Sequence, residues 1–186
     1  MPILFEKACK EDESSEEVNT MLNQNRPVPV EMRTKTSESA LMLACANGAK
    51  EVCRVLMENK CDVEARDLKE RTAIFYGVEK GHLNVLEFLI ENGADVNKSD
   101  EDNNTVIHIA TTKNNIEIVQ FLVMLNIKIN SRGHFQQTPL HISAILGHFE
   151  IVQFLVENDA DKESKDKNDQ TPLHLASVVD MIRVWC

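Results

Sequence analysis

Six histidines and five cysteines are the side chains of this chain best suited to acid–base catalysis or metal binding. Five of the histidines fall into two regularly spaced series, His108, His141 and His174, and His82 and His148. A neighbouring pair such as His141 and His174 could bind a metal ion, but recurrence at a fixed interval is typical of a structural role. His134 belongs to neither series, so we expect it to face solvent or a partner.

The cysteines do not follow a zinc-binding pattern. Cys45, Cys53 and Cys61 stand eight residues apart, and the sequence contains no Cys-x-x-Cys pair. Parts of the chain recur at a step of 33 residues, as described below, so positions that differ by a multiple of 33 are equivalent. By this comparison Cys45 and Cys61 fill positions that are otherwise small or apolar, and Cys53 is equivalent to Val119 and Val152. A buried free cysteine acts as a small apolar side chain. The cysteine count is odd, and charged residues appear too early at the N-terminus for a secretory signal. Both features favour a reducing compartment, either the cytoplasm or, as an alternative, the nucleus.

The charge balance narrows the classes of partner. Asp and Glu number 30 against 20 for Lys and Arg, which gives a formal net charge of -10. Such a chain repels phosphate groups, so we expect neither nucleic acid nor a membrane as partner. The sequence also lacks phosphate-binding glycine loops and the HExxH, GxSxG and kinase signatures. We therefore expect no catalytic, cofactor-binding or metal-binding residues, no cofactor, no small-molecule substrate and no enzymatic activity.

Three of the histidines lie within a six-residue segment that occurs five times. At a constant step of 33 residues, the segment begins at Ser39, Thr72, Thr105, Thr138 and Thr171. The hydroxyl residue at the first place is suited to cap a helix, the third and fifth places are apolar, and the sixth is small. The helix is predicted to end at residues that tolerate positive φ, which are Gly48, Gly81, Asn114, Gly147 and Asp180.

A second amphipathic helix follows this segment. Residues 85–90 and 150–156 carry apolar side chains at i, i+3 and i+4, which predicts one buried face. This helix is predicted to end at Gly93, Asn126 or Asp159, with Lys60 as a poorer equivalent in the first repeat. One such helix pair cannot bury its own apolar face, so neighbouring pairs must stack on each other.

These segments resemble the ankyrin repeat family. Residues 138–143 and 171–176 match its T-P-L-H-x-A signature almost residue for residue. The resemblance implies an all-α ankyrin-repeat solenoid with a helix-turn-helix and a β-turn in each repeat. It also implies that the five regularly spaced histidines hydrogen-bond within and between turns. The expected domains are residues 1–35 as a degenerate N-terminal capping repeat with an acidic loop, and repeats at about 36–68, 69–101, 102–134, 135–167 and a truncated 168–186.

The two ends depart from the repeat pattern. In the capping repeat, Val18, Met21 and Leu22 are predicted to form the buried face of a helix. At the other end, Trp185 stands where a full repeat would continue its second helix, and we expect its apolar surface to be exposed or covered by another molecule. An alternative interpretation is therefore a truncated fragment of a longer ankyrin array that has no independent activity.

In ankyrin proteins the partner usually lies in a concave groove formed by the turn tips and the first helices. Carried over to equivalent exposed positions, the expected partner-binding residues are Leu68, Lys69, Arg71, Glu79, Lys80, Glu101, Asp102, Asn104, Thr112, Lys113, His134, Phe135, Gln137, Ile145 and Leu146. Phe135, Ile145 and Leu146, with Val178 and Val179, would form an exposed apolar patch typical of a protein-binding surface. Burial of the first three would disprove this hypothesis.

The sequence thus predicts a protein–protein interaction module, an adaptor, scaffold or recognition part of a larger protein, with a protein partner whose identity it leaves open. Binding would occur by docking on a largely preformed surface. A separate hypothesis concerns Asn97 and Asn130, each of which has a leucine eight residues earlier. Ankyrin asparagines of this type are hydroxylated in some organisms.

Overall fold

The computed structural model describes residues 3–9, 11, 14–24 and 29–176. Within this part of the chain there is no strand, and no helix is long and apolar enough to cross a membrane. In chain order the helices are α1 (Ile3–Ala8), α2 (Ser15–Leu22), α3 (Ala40–Ala46), α4 (Lys50–Glu58), α5 (Ala73–Lys80), α6 (Leu83–Glu91), α7 (Val106–Thr112), α8 (Ile116–Met124), α9 (Pro139–Leu146), α10 (Phe149–Glu157) and α11 (Pro172–Leu175).

The helices are distributed over two compact units, residues 1–96 and 97–186. In the first unit, α1 packs on α2, α3 on α4 and α5 on α6, while α3 also contacts α5, and α4 contacts both α2 and α6. In the second unit, α7 packs on α8 and α9 on α10, while α9 contacts both α7 and α11, and α8 contacts α10. Within each unit, first helices therefore stack on first helices and second helices on second helices.

The apolar places of the repeat differ in how deeply they lie in the core. The third place is buried at Leu41, Ile74, Ile107 and Leu140, whereas Leu173 in the last segment is 46% exposed. Full burial of such a side chain stabilises the fold by roughly 1.5–3 kcal/mol. The fifth place is only half-buried at Ile109 and Ile142. In the first unit, Val18 and Leu22 are buried as expected, whereas Met21 is half-buried.

Each first helix begins after the hydroxyl residue that the sequence identifies as its cap. In α7, α9 and α11 the third residue of the helix is histidine, and its Nδ1 accepts the backbone N–H of the cap at 3.1–3.2 Å. The Sδ of Met42 takes this place in α3. In α5 the third residue is Phe75, which carries no acceptor, and the side chain of Thr72 makes no capping hydrogen bond.

The residues expected to end the helices adopt positive φ. The first helices end before Gly48, Gly81, Asn114 and Gly147, with φ of 71°, 81°, 55° and 71°. After the second helices, Lys60, Gly93, Asn126 and Asp159 have φ of 62°, 93°, 54° and 62°, so lysine adopts this conformation as well. Glycine fits best at position 48, because φ is positive there and a Cβ would lie 2.8 Å from the ring of His82. Asp180 lies outside the described residues.

Candidate functional site

The turns before α5, α7 and α11 are each organised around one aspartate at the tip. Asp67, Asp100 and Asp166 each accept, through Oδ1, the backbone N–H groups of the residues two and four positions later, at 2.8–3.0 Å. This carboxylate holds the tip in one shape because it satisfies two N–H groups that a turn leaves unpaired. The recurrence of aspartate at a step of 33 is the signal by which the sequence could have shown it.

The tip before α9 lacks this aspartate, because Gly133 stands in its place. A Cβ at position 133 would collide with Oδ1 of Asn104 and approach the ring of His108 to 3.0 Å. Instead, Oδ1 of Asn104 accepts the backbone N–H of His134 at 3.0 Å. The tip forms a 3-10 turn, His134–Gln136, in which Phe135 and Gln136 have φ of 53° and 58°. Two successive non-glycine residues in this strained region make the tip unlike the others.

This unusual tip displays an aromatic pair at the surface. Phe135 is 51% exposed, and its ring packs edge-on against His134 with centroids 4.0 Å apart. The carbonyl of Phe135 accepts the backbone N–H of Lys167 at 2.8 Å, and the Lys167 ammonium lies 5.9 Å from the Phe135 ring. Phe135 is therefore held in place from both sides while half of its surface remains accessible.

Beside this tip, the second unit contains a depression of about 380 Å³ that is open to solvent. Its polar side is formed by the tips and its apolar side by α7 and α9. Ile109 and Ile142, the half-buried fifth places of the repeat, line it together with the more exposed Ile145 and Leu146. The other lining residues are Asp102, Asn104, His108, Thr112, His134 and Gln137.

The depression brings together seven of the expected partner-binding residues, which are Asp102, Asn104, Thr112, His134, Gln137, Ile145 and Leu146. Ile145 and Leu146 are 36% and 48% exposed, so the burial that would have disproved the apolar patch does not occur. Phe135 is exposed but does not line the depression; it contacts the lining through His134. Glu101 and Lys113 are exposed outside the lining. Val178, Val179 and Trp185 lie outside the described residues.

One close pair of polar side chains marks the polar side of the depression. Oδ1 of Asp102 lies 3.1 Å from Nδ1 of His134, and the two side chains are 53% and 51% exposed. His134 thus faces solvent, as the sequence predicts. Asn104 and Gln137, expected to be exposed, are half-buried. Asn104 is held by the His134 N–H, and the carbonyl of Gln137 accepts a hydrogen bond from His108 at 3.2 Å.

In the first unit, Arg71 and Glu79 were expected to be exposed binding residues, and both are half-buried. The Arg71 guanidinium pairs with Asp67 at 2.8 Å and with Glu79 at 3.3 Å, donates to the Tyr76 hydroxyl at 3.0 Å and stacks over its ring. The charges therefore stabilise a turn. Leu68, Lys69 and Lys80 remain exposed, and Leu68 is 70% exposed.

Asp67 is the anchor of this network, with a side chain only 3% exposed. Burial by itself raises the pKa of Asp67, but the N–H groups of Arg71 and Lys69, the Tyr76 hydroxyl and the Arg71 guanidinium all favour its ionised form. Together they bring the pKa below its ordinary value. Burial, followed by the hydrogen bond to Asp67, raises the pKa of Tyr76, so its hydroxyl keeps its proton and donates to the carboxylate at 2.8 Å.

The regularly spaced histidines hydrogen-bond within and between turns, as the sequence resemblance implies. Nε2 of His141 lies 3.1 Å from the carbonyl of Gln170, and Nε2 of His108 lies 3.1 Å from that of Ser131. Nδ1 of His148 lies 2.9 Å from the carbonyl of Thr111, and Nε2 of His82 lies 3.2 Å from that of Ala46. Burial lowers the pKa of His108 and of His141, which favours the neutral ring that these contacts need.

The four cysteines of the first unit lie wholly or partly inside the fold. Cys9, Cys45 and Cys53 are buried, Cys61 is half-buried, and the sulfurs of Cys45 and Cys53 lie 3.7 Å apart. Burial raises the pKa of Cys9 and of Cys61 to about 12, so the thiolate that binds metals and attacks electrophiles is scarce. Among the described residues, no group of three or more His, Cys, Asp or Glu side chains is arranged to hold a metal ion.

Comparison with known proteins agrees with this geometry. The family described as "Ankyrin repeats (3 copies)" matches residues 5–100, 69–133 and 107–184. The crystal structure of the ankyrin repeat domain of Bcl-3, described as a unique member of the IkappaB protein family, matches with a TM-score of 0.83. That match covers 94% of this chain and 78% of the other at 22% identity, a level at which it shows the fold alone. No curated protein sequence matches the chain.

Proposed function

The chain belongs to the ankyrin repeat family, and we propose that it binds a protein partner through the depression between α7 and α9 in its second unit. The observation that carries this proposal is the exposure of Ile145 and Leu146 at the edge of the depression. Ankyrin repeats are a known protein-interaction module. In this view the chain is an adaptor or scaffold, or the recognition part of a larger protein.

An exposed apolar edge supports binding because water solvates it poorly. Contiguous exposed apolar surface bordered by polar groups is typical of protein interaction sites. Ile145, Leu146 and the half-buried Ile109 and Ile142 form such a surface beside the carboxylate of Asp102. Burial of an apolar side chain at the centre of an interface contributes a large share of the binding free energy.

The helix that carries this edge is held firmly before any partner arrives. Pro139 begins α9 with a fixed φ, the Thr138 cap closes its N-terminus and Gly147 ends it in the left-handed conformation. A preformed surface loses little conformational entropy on binding, which favours docking without folding. This rigidity supports an interaction role for α9.

We extend the proposal to a non-enzymatic role in the cytoplasm, with the nucleus as an alternative. The support for the non-enzymatic role is chemical: the regularly spaced histidines are engaged in backbone hydrogen bonds, and burial raises the pKa of the Cys9, Cys45 and Cys61 thiols. Neither set is available for acid–base or nucleophilic catalysis in this arrangement.

The proposal can be tested with a matched pair of surface variants. The test variant carries Ile145→Ser and Leu146→Ser, whose side chains are 36% and 48% exposed. The control carries Leu125→Ser and Phe149→Ser, which are 40% and 44% exposed and lie outside the lining of the depression. Both are compared with the unchanged chain in affinity capture from cell lysate, after circular dichroism has shown equal helix content.

We expect at least one captured protein to be retained by the unchanged chain and the control and lost from the test variant. With that protein purified, its Kd for the test variant should rise about tenfold or more, since two apolar contacts are removed. Capture lists that are the same for all three baits would contradict the proposed site. Loss of the same proteins from the control would show that capture depends on exposed apolar residues in general and not on this depression.

A further inference from the structure

We infer that the depression recognises a protein segment that places an apolar side chain next to a lysine or arginine. This inference rests on the proposed function and adds the chemistry of the partner. It is carried by the arrangement of one carboxylate, Asp102, beside an apolar wall formed by α7 and α9.

The apolar wall of the depression explains why the partner should contribute an apolar side chain. Ile109 and Ile142 lie at the base of the exposed surface of α7 and α9, and Ile145 and Leu146 extend it along the last turn of α9. All four side chains are branched and aliphatic, and they offer no hydrogen-bonding group. A side chain seated against them is favoured in proportion to the apolar area it removes from water.

The negative charge of the lining explains why the partner should also contribute a lysine or arginine. Among the described residues that line the depression, Asp102 is the acidic one and neither lysine nor arginine is present. The nearby cations Lys113 and Arg132 lie outside the lining, and Glu101 adds negative charge beside Asp102. A carboxylate accepts several hydrogen bonds, so its contact with His134 leaves capacity for an ammonium or guanidinium group.

The shape of the depression favours a protein segment over a small molecule. Its volume of about 380 Å³ is sufficient for more than one side chain, but it is open to solvent. Sites for small ligands bury most of the ligand surface, which an open depression does not do. Side chains supported by a larger interface around the depression need no such enclosure.

The test is a selection from displayed random dodecapeptides against the full chain and three variants. The first variant, Ile145→Ser with Leu146→Ser, removes the apolar edge. The second, Asp102→Lys, reverses the charge of the lining at a half-exposed side chain. The third, Glu163→Lys, makes the same change in net charge at an exposed residue of the same unit outside the lining.

The unchanged chain and Glu163→Lys should both enrich peptides in which an apolar residue adjoins lysine or arginine. Asp102→Lys should enrich aspartate or glutamate at the position of the cation. An enriched basic peptide, synthesised and titrated, should bind Asp102→Lys about tenfold more weakly, because attraction becomes repulsion at the same site. Its affinity for the unchanged chain should fall with added salt.

Two outcomes would overturn the inference while leaving the proposed function intact. Peptides that depend on Ile145 and Leu146 but show no preference for a cation, and no response to Asp102→Lys, would show that charge plays no part. The second outcome is that the unchanged chain enriches no peptides beyond those that the Ile145→Ser and Leu146→Ser variant enriches. If the unchanged chain still captured a protein through those residues, this result would refute recognition of an apolar side chain next to a cation. If lysate capture also showed no dependence on them, both proposals would fail.

Discussion

The side-chain oxygen of Asn104 accepts a hydrogen bond from the backbone N–H of His134 at 3.0 Å, and so joins the turn tips that precede α7 and α9. The same oxygen occupies the space that a side chain at position 133 would need. Gly133 and Asn104 are therefore coupled, and the shape of the polar side of the depression depends on both.

Gly133→Ala should lower the free energy of unfolding by about 1–3 kcal/mol, because the added methyl meets Asn104 and the buried His108 ring. Asn104→Ala should cost about 1–2 kcal/mol through loss of the acceptor for the His134 N–H. In the double variant the clash with Asn104 is removed, so the combined loss should be smaller than the sum of the two. Urea denaturation of all four proteins measures this coupling. A strictly additive result would mean that the two residues act independently.

The caps of α5 and α9 make a matched comparison, since Thr72 and Thr138 are each 1% exposed. The Thr138 hydroxyl lies 2.8 Å from Nδ1 of His141, whereas the Thr72 hydroxyl has no hydrogen-bond partner among the described residues. Thr138→Val should therefore cost about 1–2 kcal/mol, and Thr72→Val should change stability by less than about 0.5 kcal/mol or increase it. Thermal or urea denaturation checks both. Equal losses would show that the histidine contributes nothing to the cap.

Stability should fall on acidification below neutral pH because His141 is held neutral. Burial lowers the pKa of His141 below its ordinary value of 6.5, and Nδ1 accepts the Thr138 N–H, so a proton there would face a donor. The unfolded chain then binds a proton that the folded chain does not. The free energy of unfolding should be highest above the unfolded pKa and decrease as the pH falls towards the folded pKa, by at most about 1.4 kcal/mol per pH unit for this group.

The variant that tests this pH dependence is His141→Asn. It should be less stable than the unchanged chain at pH 7, because the hydrogen bond to the Gln170 carbonyl is lost, yet its stability should depend less steeply on pH between 7 and 5. His108, which is also buried with a lowered pKa, accounts for part of the dependence that remains. Parallel pH profiles in the two proteins would rule out His141 as a source of the effect.

The repeating fold follows from the amino-acid sequence, because short-range chemistry specifies it in every repeat. A hydroxyl residue precedes each first helix, and Asn114 or Gly147 ends one because such residues tolerate positive φ. Within each unit, the constant step of 33 then brings equivalent residues of successive repeats together. This regularity also identified the structural histidines, and the exposure of Ile145 and Leu146 followed from their places in the repeat.

Which of the exposed positions lie together depends on how the elements of each unit pack. The repeat pattern predicted that Arg71 is exposed for partner binding. In the structure, Asp67, Tyr76 and Glu79 hold its guanidinium group within a turn. At position 133, glycine replaces the aspartate of the other tips, and the altered turn places Phe135 against His134 beside the depression. These outcomes depend on distances between side chains of different elements, and a repeat pattern specifies which positions are equivalent but not what each side chain meets.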